Sequence, residues 1–492
     1  MGTDISFEKN EDDPPDSSLL KKERFLIKES PKKIGSFFVA KNILIKPEIR
    51  ENGIKINVGE VSFSIIFPKE TWEKYPQTSK KTLSENLTFA LTLHLPYLLD
   101  VRSLNYQMPE PIIKNIIEEG FKLSLPATAF LKSQKTSELL KKFSKIEYHF
   151  NGKKNSILDP PSKKSKNLAV LPFTFGKDSL LTYGLCQEIG IETVPVYVKE
   201  PITQWENYHK EKLARRFFEE FKKKILFIDN EAGELREPDW SFNDRGWYGW
   251  ELQLTQFGLM LLPIAFSKQA RYILFANEQS CNDKFLDEEG FWCNPVYEQS
   301  SDWTLKLGQI AQFLGMEELK TGSLVEPLHD LSIIKILHSR YPKIAKYQMS
   351  CGENTPELRY HRWCENCSKC ARIYILCLAN NINPKEIEMQ NNMLELRYKS
   401  KFALFNGKEK GYGYDATQLG RDEQLLAFLL AYRNGYKGDL IDFFKKMYLK
   451  EAEKREKELR EKFFGIHSTK TVPAELRKKV LKIYRQELQN LI

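Results

Sequence analysis

The sequence predicts an α/β protein: a central, parallel, doubly wound sheet with a small metal knuckle, preceded by an α+β domain and followed by a helical region. From residue 167 onward strand and helix patterns alternate, the rhythm of parallel strands joined by crossover helices. Half of the eight cysteines crowd residues 351–370, which points to a knuckle rather than scattered core thiols. The last hundred residues read as amphipathic and charge-alternating helices.

At 492 residues the chain is long enough for two or three domains, and its 41% hydrophobic residues, with 31 Phe and 21 Tyr, supply a sizeable core. No run of about 18 apolar residues occurs, so no transmembrane helix is expected. The start is acidic and polar, unlike a signal peptide, and a cytoplasmic location is the expectation. A formal charge of +9 favours anionic partners such as nucleotides or RNA. The lysine clusters lack aromatic interleaving, however, and read equally as solvated faces.

Residues 1–40, rich in Asp, Glu, Lys, Pro and Ser, read as disordered. The segment 41–165 forms the expected α+β domain. Residues 53–58 and 61–67 alternate as strands, 83–99 carry a buried helix, 112–121 and 137–143 two shorter ones, and 147–150 another strand. The composition of 159–167 is that of a linker. In the central domain, 166–395, strands are expected at 168–172, 193–198, 225–228 and 271–276, with helices at 180–190, 210–224 and 252–266. Pro195 removes a ladder donor, which places its position at an edge or bulge. The region 396–492, with helices at 422–432, 440–448 and 451–462, reads as an appendage or oligomer contact, and a homo-oligomer is possible.

The chemistry concentrates in Thr174-Phe175-Gly176-Lys177-Asp178-Ser179, a short turn between a strand and a helix. A helix start presents free N–H groups and the positive end of a dipole, and so attracts phosphate. Lys177 can add a cation, Asp178 can hold a divalent metal, and Gly176 lets backbone approach an anion. The Walker pattern needs a longer glycine-to-lysine interval and is excluded. A helix with an ordinary Ser cap is the plain alternative. Asn277-Glu278-Gln279-Ser280 follows an apolar strand, and ligands of open α/β sheets lie beyond strand carboxyl ends, so both stretches belong to one pocket. Glu278 binds metal or a substrate amine, or is a solvated loop carboxylate. Asn277, Gln279, Ser280 and His329 are candidate substrate contacts.

Cys351, Cys364, Cys367 and Cys370 have the number and spacing to close a tetrahedral Zn2+ site. A disulfide pair or an iron–sulfur cluster are the alternatives. Cys186, Cys281, Cys293 and Cys377 are scattered and read as packing residues.

The loop resembles the Ser-Gly-Gly-Lys-Asp-Ser loop of the N-type ATP pyrophosphatases, with Thr174 for Ser and Phe175 for a Gly. The combination with the late cysteines is similar to 7-cyano-7-deazaguanine synthase and to the ATP-dependent epimerase of the terminal L-glutamate of a UDP-muramoyl dipeptide. Asn277-Glu-Gln-Ser280, Asn294-Pro-Val-Tyr-Glu-Gln-Ser-Ser-Asp302, Ser323-Leu-Val-Glu-Pro-Leu-His329 and Arg362-Trp-Cys-Glu-Asn-Cys-Ser-Lys-Cys370 look more like the epimerases. The resemblance, over roughly 165–380, implies a HUP-like sheet and cleavage of ATP to AMP and pyrophosphate to activate a small carboxylate-bearing substrate. It implies phosphate contacts from 174–179, magnesium at Asp178, and adenine against the backbone near Val198. Possible proton carriers are Glu326, His329, Tyr297 and Glu298. In the deazaguanine reading a purine would stack on Trp247, Tyr248 or Trp250. Phe175, a side chain where backbone usually meets phosphate, keeps open a third reading, a non-catalytic nucleotide-sensing adaptor.

Overall fold

The structure, a computed structural model, describes residues 43–153, 165–201, 204–236, 248–353, 355–406 and 413–492. The expected disordered segment 1–40, most of the linker and Trp247 lie outside these residues.

The expected α/β class holds. The described residues form twelve strands: β1 (Ile43–Arg50), β2 (Gly53–Val58), β3 (Val61–Ile66), β4 (Ser103–Tyr106), β5 (Glu147–Phe150), β6 (Lys166–Pro172), β7 (Glu192–Lys199), β8 (Leu226–Asn230), β9 (Ala270–Phe275), β10 (Phe285–Leu286), β11 (Trp292–Cys293) and β12 (Lys320–Ser323). Ten of them join one sheet in the order β12-β9-β6-β7-β8-β3-β2-β1-β4-β5, and β10 with β11 makes a separate hairpin. From β12 to β8 every pairing is parallel. β3 then meets β8 antiparallel over two residue pairs, Ile65 with Asn230 and Ile66 with Asp229. The α+β segment and the parallel region are therefore continuous through the sheet.

Within the parallel half, β6 is central and the chain runs outward first through β7 and β8, then back through β9 and β12. The direction of winding reverses between β6 and β9. Such a reversal splays the two following loops apart and opens a crevice beyond the strand ends.

The sequence of β6 explains why both faces are covered. Ala169, Val170 and Leu171 are all buried, the continuous apolar run of a strand with layers on either side. Ala169, Leu171 and Phe173 enter one core, shared with the helices Lys177–Ile189, Asp330–Arg340, Ser368–Ala379 and the C-terminal helices. Leu168 and Val170 enter the other, shared with the helices Gln77–Thr92, Gln253–Lys268 and Ser301–Phe313.

Several elements depart from expectation. The helix expected over 83–99 breaks into Gln77–Thr92 and Leu95–Leu99, with His94 turned to the Leu235 carbonyl at 2.8 Å. β7 is an interior strand despite Pro195. Its pairing with β8 begins only at Val196, and Val196 accepts from Phe173 N–H at 2.7 Å on the β6 side. By alternation the missing donor of Pro195 faces β8 before that ladder starts, so no sheet bond is lost. The helices Ser301–Phe313, Asp330–Arg340 and Ala474–Leu488 and the short strand β12 were not anticipated.

The C-terminal helices Gln418–Arg433, Asp439–Met447, Leu449–Phe463 and Ala474–Leu488 share the core of the parallel half. Glu326 ties them down: it accepts from Ser301 Oγ (2.5 Å), Ser468 Oγ (2.8 Å), Thr471 N–H (2.6 Å) and Thr471 Oγ1 (2.8 Å). Residue 471 passes so close over β12 that a Cβ on Gly322 would stand 2.3 Å from its carbonyl oxygen. Among the described residues, no helix is long and apolar enough to cross a membrane.

Gly322→Ala should therefore lift the C-terminal segment and cost about 1–3 kcal/mol, as overpacking does. Urea unfolding together with limited proteolysis after residue 465 measures both effects.

Candidate functional site

The turn after β6 and the turn after β9 lie side by side at the reversal of winding, as the sequence anticipates. Gly176 is the N-cap of the helix Lys177–Ile189 and no side chain caps that end. The first N–H groups of the helix are left for an outside partner. A Cβ on Gly176 would meet only Thr174 Oγ1 at 3.4 Å and Ser350 Oγ at 3.8 Å, so those two hydroxyls flank the helix start. Ser179 Oγ donates to the Gly176 carbonyl at 3.1 Å.

Phe175 holds φ +56°, the left-handed region that favours glycine. Its ring does not enter the loop space: it is fully buried against Phe173 (4.9 Å between centroids) and Phe217 (5.9 Å). Only its backbone faces the turn, and its carbonyl accepts from Met349 N–H at 2.8 Å. Val198 shares the alternation of Val196, so its backbone faces the space past the last residue of β6, over this loop.

At the helix start an ion cluster forms, with Lys177 and Asp330 buried and Asp178 and Glu278 partly exposed. Lys177 Nζ lies 2.7 Å from Asp178 Oδ1, 2.7 Å from Asp330 Oδ1 and 3.6 Å from Glu278 Oε2. Burial works against a charged lysine here, yet Asp178, Asp330 and Glu278 together hold the ammonium well above its usual range. Burial, then the charge of Asp178, pushes the Glu278 carboxyl up to about 8. Burial also acts against ionised Asp330, but Lys177 and Arg372 overcome it and hold that carboxyl below its usual range. Oxygens of Asp178, Glu278 and Asp330 all lie within 4.8 Å of one another, a grouping that can hold a cation.

The other expected site residues divide into two kinds. Ser280 donates to Glu278 Oε1 at 2.6 Å and fixes that carboxylate. Asn277 is an anchor, its amide donating to Thr304 Oγ1 (2.8 Å) and its carbonyl accepting from Ser323 Oγ (2.7 Å). Gln279 donates to Asp283 Oδ1 at 3.3 Å, while its Oε1 is buried without a partner among the described residues. His329 is fully buried with Nε2 2.8 Å from Asp283 Oδ2, and its Nδ1 likewise has no partner there.

Three of the suggested proton carriers lie elsewhere or are occupied. Glu326 spends both oxygens on the C-terminal segment. Glu298 accepts from Leu254 N–H at 2.6 Å at the start of the helix Gln253–Lys268, its carboxyl pushed up to about 8 by burial. Tyr297 packs on Trp303. Tyr248 lies under Lys132 (3.3 Å) and Trp250 under Arg236 (5.0 Å), so both rings are stacked by protein cations.

Sequence reasoning missed a group that the fold delivers. Asp330 starts the helix after β12, one residue past His329, where an acid reads as an ordinary partner of the helix dipole. Arg372 grips it from the helix Ser368–Ala379, with Nε 3.4 Å from Asp330 Oδ2 and Nη1 3.3 Å from Asp415 Oδ1. Tyr414 and Glu423 arrive from the C-terminal region. Tyr414 Oη and Glu423 Oε2 are buried without partners among the described residues.

Cys351, Cys364, Cys367 and Cys370 converge, their sulfurs within 4.8 Å of one another. A tetrahedron of Zn–S bonds of about 2.3 Å has edges of about 3.8 Å. Cys364 Sγ and Cys370 Sγ are 3.8 Å apart, so the four thiols can hold a metal ion such as zinc. Cys367 Sγ also caps the helix Ser368–Ala379, accepting from Cys370 N–H at 3.4 Å. Cys186, Cys281, Cys293 and Cys377 are free and buried.

Comparison with family models, with curated proteins and with solved structures returned no match.

Two outcomes follow from this geometry. Phe175→Gly would relax a backbone strain of about 1–2 kcal/mol but empty a ring site whose loss costs about 3–5 kcal/mol. A net loss of about 2 kcal/mol is expected from urea unfolding. Cys367→Ser should lower bound zinc, measured by plasma mass spectrometry on protein purified without chelator, to below half the wild-type stoichiometry. Unchanged zinc in that variant would refute the four-thiolate site.

Proposed function

We propose that the protein is an adenylating enzyme of the N-type ATP pyrophosphatase class, with a HUP-like sheet, that cleaves ATP to AMP and pyrophosphate to activate a substrate carboxylate. The single observation that carries the reading is the meeting of an uncapped, glycine-started helix with Lys177, Asp178, Glu278 and Asp330 at the winding reversal of the parallel strands. An anion site and a cation site a few ångströms apart suit a polyphosphate chain.

In this reading the helix start and the hydroxyls of Thr174, Ser179 and Ser350 hold phosphate, and adenine lies against the backbone of Val198. A magnesium ion held by Asp178, Glu278 and Asp330 would neutralise phosphate charge. The substrate carboxylate oxygen bonds to the α-phosphorus as the bond to the bridging oxygen of pyrophosphate breaks. Nothing in this step needs a covalent enzyme intermediate; positioning and electrostatics suffice.

The muramoyl-dipeptide glutamate epimerases are the nearest reading for the next step. An acyl adenylate has lost the carboxylate charge, so its α proton can pass to a base of ordinary strength. His329, oriented by Asp283, and the Tyr414 hydroxyl are buried beside the cluster with Nδ1 and Oη uncommitted among the described residues. Of the carriers the sequence suggests, His329 is kept, and Tyr414 takes the place of Glu326, Glu298 and Tyr297.

The test is AMP and pyrophosphate release against a panel containing UDP-muramoyl-Ala-Glu and carboxy-deazaguanine. AMP with the first alone supports the epimerase branch, and AMP with the second alone the nitrile-forming branch. No AMP with any carboxylate, despite ATP binding, moves the assignment to a nucleotide sensor. Asp178→Asn should lower AMP release by about 100-fold or more while the melting temperature stays within a few degrees. Undiminished release would remove Asp178 from the site.

A further inference from the structure

Lys177 points the wrong way for a phosphate ligand. It is the first residue of a helix whose N–H groups are open, yet its ammonium turns back into the cage of Asp178, Glu278 and Asp330. The side chain is 5% exposed and Asp330 is fully buried, so solvent does little to weaken the attraction.

Carboxyl groups outnumber the cations around the cage even with the lysine inside it. Asp178, Glu278, Asp330, Asp415 and Glu423 are faced by Lys177 and Arg372, with Lys369 acting on Asp415 alone. Glu423 makes the imbalance concrete from an independent element, the helix Gln418–Arg433. It is 2% exposed and accepts from Leu331 N–H at Oε1 at 2.8 Å, and burial, then the neighbouring charge of Asp330, holds its carboxyl well above the usual range. Its Oε2 has no partner among the described residues. A buried carboxylate oxygen without a donor is costly unless a cation or a proton joins the group.

We propose that Lys177 is an exchangeable internal counter-ion: a divalent cation takes the Asp178–Glu278–Asp330 cage, and the displaced ammonium turns to the open helix start, where it meets phosphate. The destination of the ammonium rests on the nucleotide reading above; the competition for the cage does not. Lys177 already lies against the three carboxylates that would ligate a metal, and a second cation among them meets its like charge, so the lysine lowers the affinity for a metal alone. A polyphosphate at the helix start stabilises the displaced lysine, and metal and nucleotide then bind with positive, reciprocal coupling.

Titration with Mn2+ alone, followed by the free-ion signal in electron paramagnetic resonance, tests the competition directly. Lys177→Met should bind Mn2+ at least tenfold more tightly than wild type, and Asp330→Asn should lose the site. Equal or weaker binding by Lys177→Met would overturn the proposal. Should that variant fail to fold, thermal unfolding of wild type decides. A Mn2+-dependent rise absent from Asp330→Asn supports the cage, and an equal rise in both overturns it. A non-hydrolysable ATP analogue should tighten Mn2+ binding tenfold or more in wild type and little in Lys177→Met. If Lys177→Met tightens Mn2+ binding but the analogue has no effect on either protein, the exchange stands and the nucleotide assignment falls.

Discussion

The structure depends on one buried ion pair, Lys177 with Asp330, whose side chains are 5% and 0% exposed. Removing two charges from water costs several kcal/mol each, and the attraction offsets this only when the geometry is close and neighbouring groups are also satisfied. Each neighbour comes from a different part of the fold. β6 ends at the helix carrying Lys177 and Asp178, β9 at the turn carrying Glu278, and β12 leads to the helix carrying Asp330. The cysteine-capped helix supplies Arg372 and the C-terminal region supplies Asp415 and Glu423. The winding order of the parallel strands is what brings these turns together.

The cysteine cluster belongs to the same construction. Met349, two residues before Cys351, hydrogen-bonds the Phe175 carbonyl, and Arg372, two residues after Cys370, grips Asp330. The four thiols thus stand in the chain between one contact to the loop before the helix and one to the ion cluster at its start. A metal that fixes them would fix both contacts, which is why a site with four protein ligands, closed to substrate, still bears on chemistry some residues away.

Much of this was legible in the chain because it is local. The apolar run of β6, the turn 174–179 and the cysteine spacing each declare themselves within a dozen residues. Asp330, Arg372 and Glu423 did not, because an acid at a helix start, an arginine in a helix and a glutamate in an amphipathic helix are the commonest surface residues. Only long-range packing turns them inward. Phe175 misled for the opposite reason: a bulky residue at a glycine position looks obstructive, but the left-handed backbone sends its ring into the core. Pro195 in an interior strand is tolerated because the neighbouring ladder starts one residue later.

The antiparallel seam between β8 and β3 is only two residue pairs long, yet it changes how the molecule meets its own copies. Two separate five-stranded sheets would carry four lateral borders, each a row of unpaired backbone groups able to recruit another chain. Joined, they carry two among the described residues, β12 and β5, each four residues long. The C-terminal segment passes directly over β12 at Gly322, and β5 presents the charged Glu147 and the exposed His149. A seam of four residues thereby guards a ten-stranded sheet against edge-to-edge aggregation.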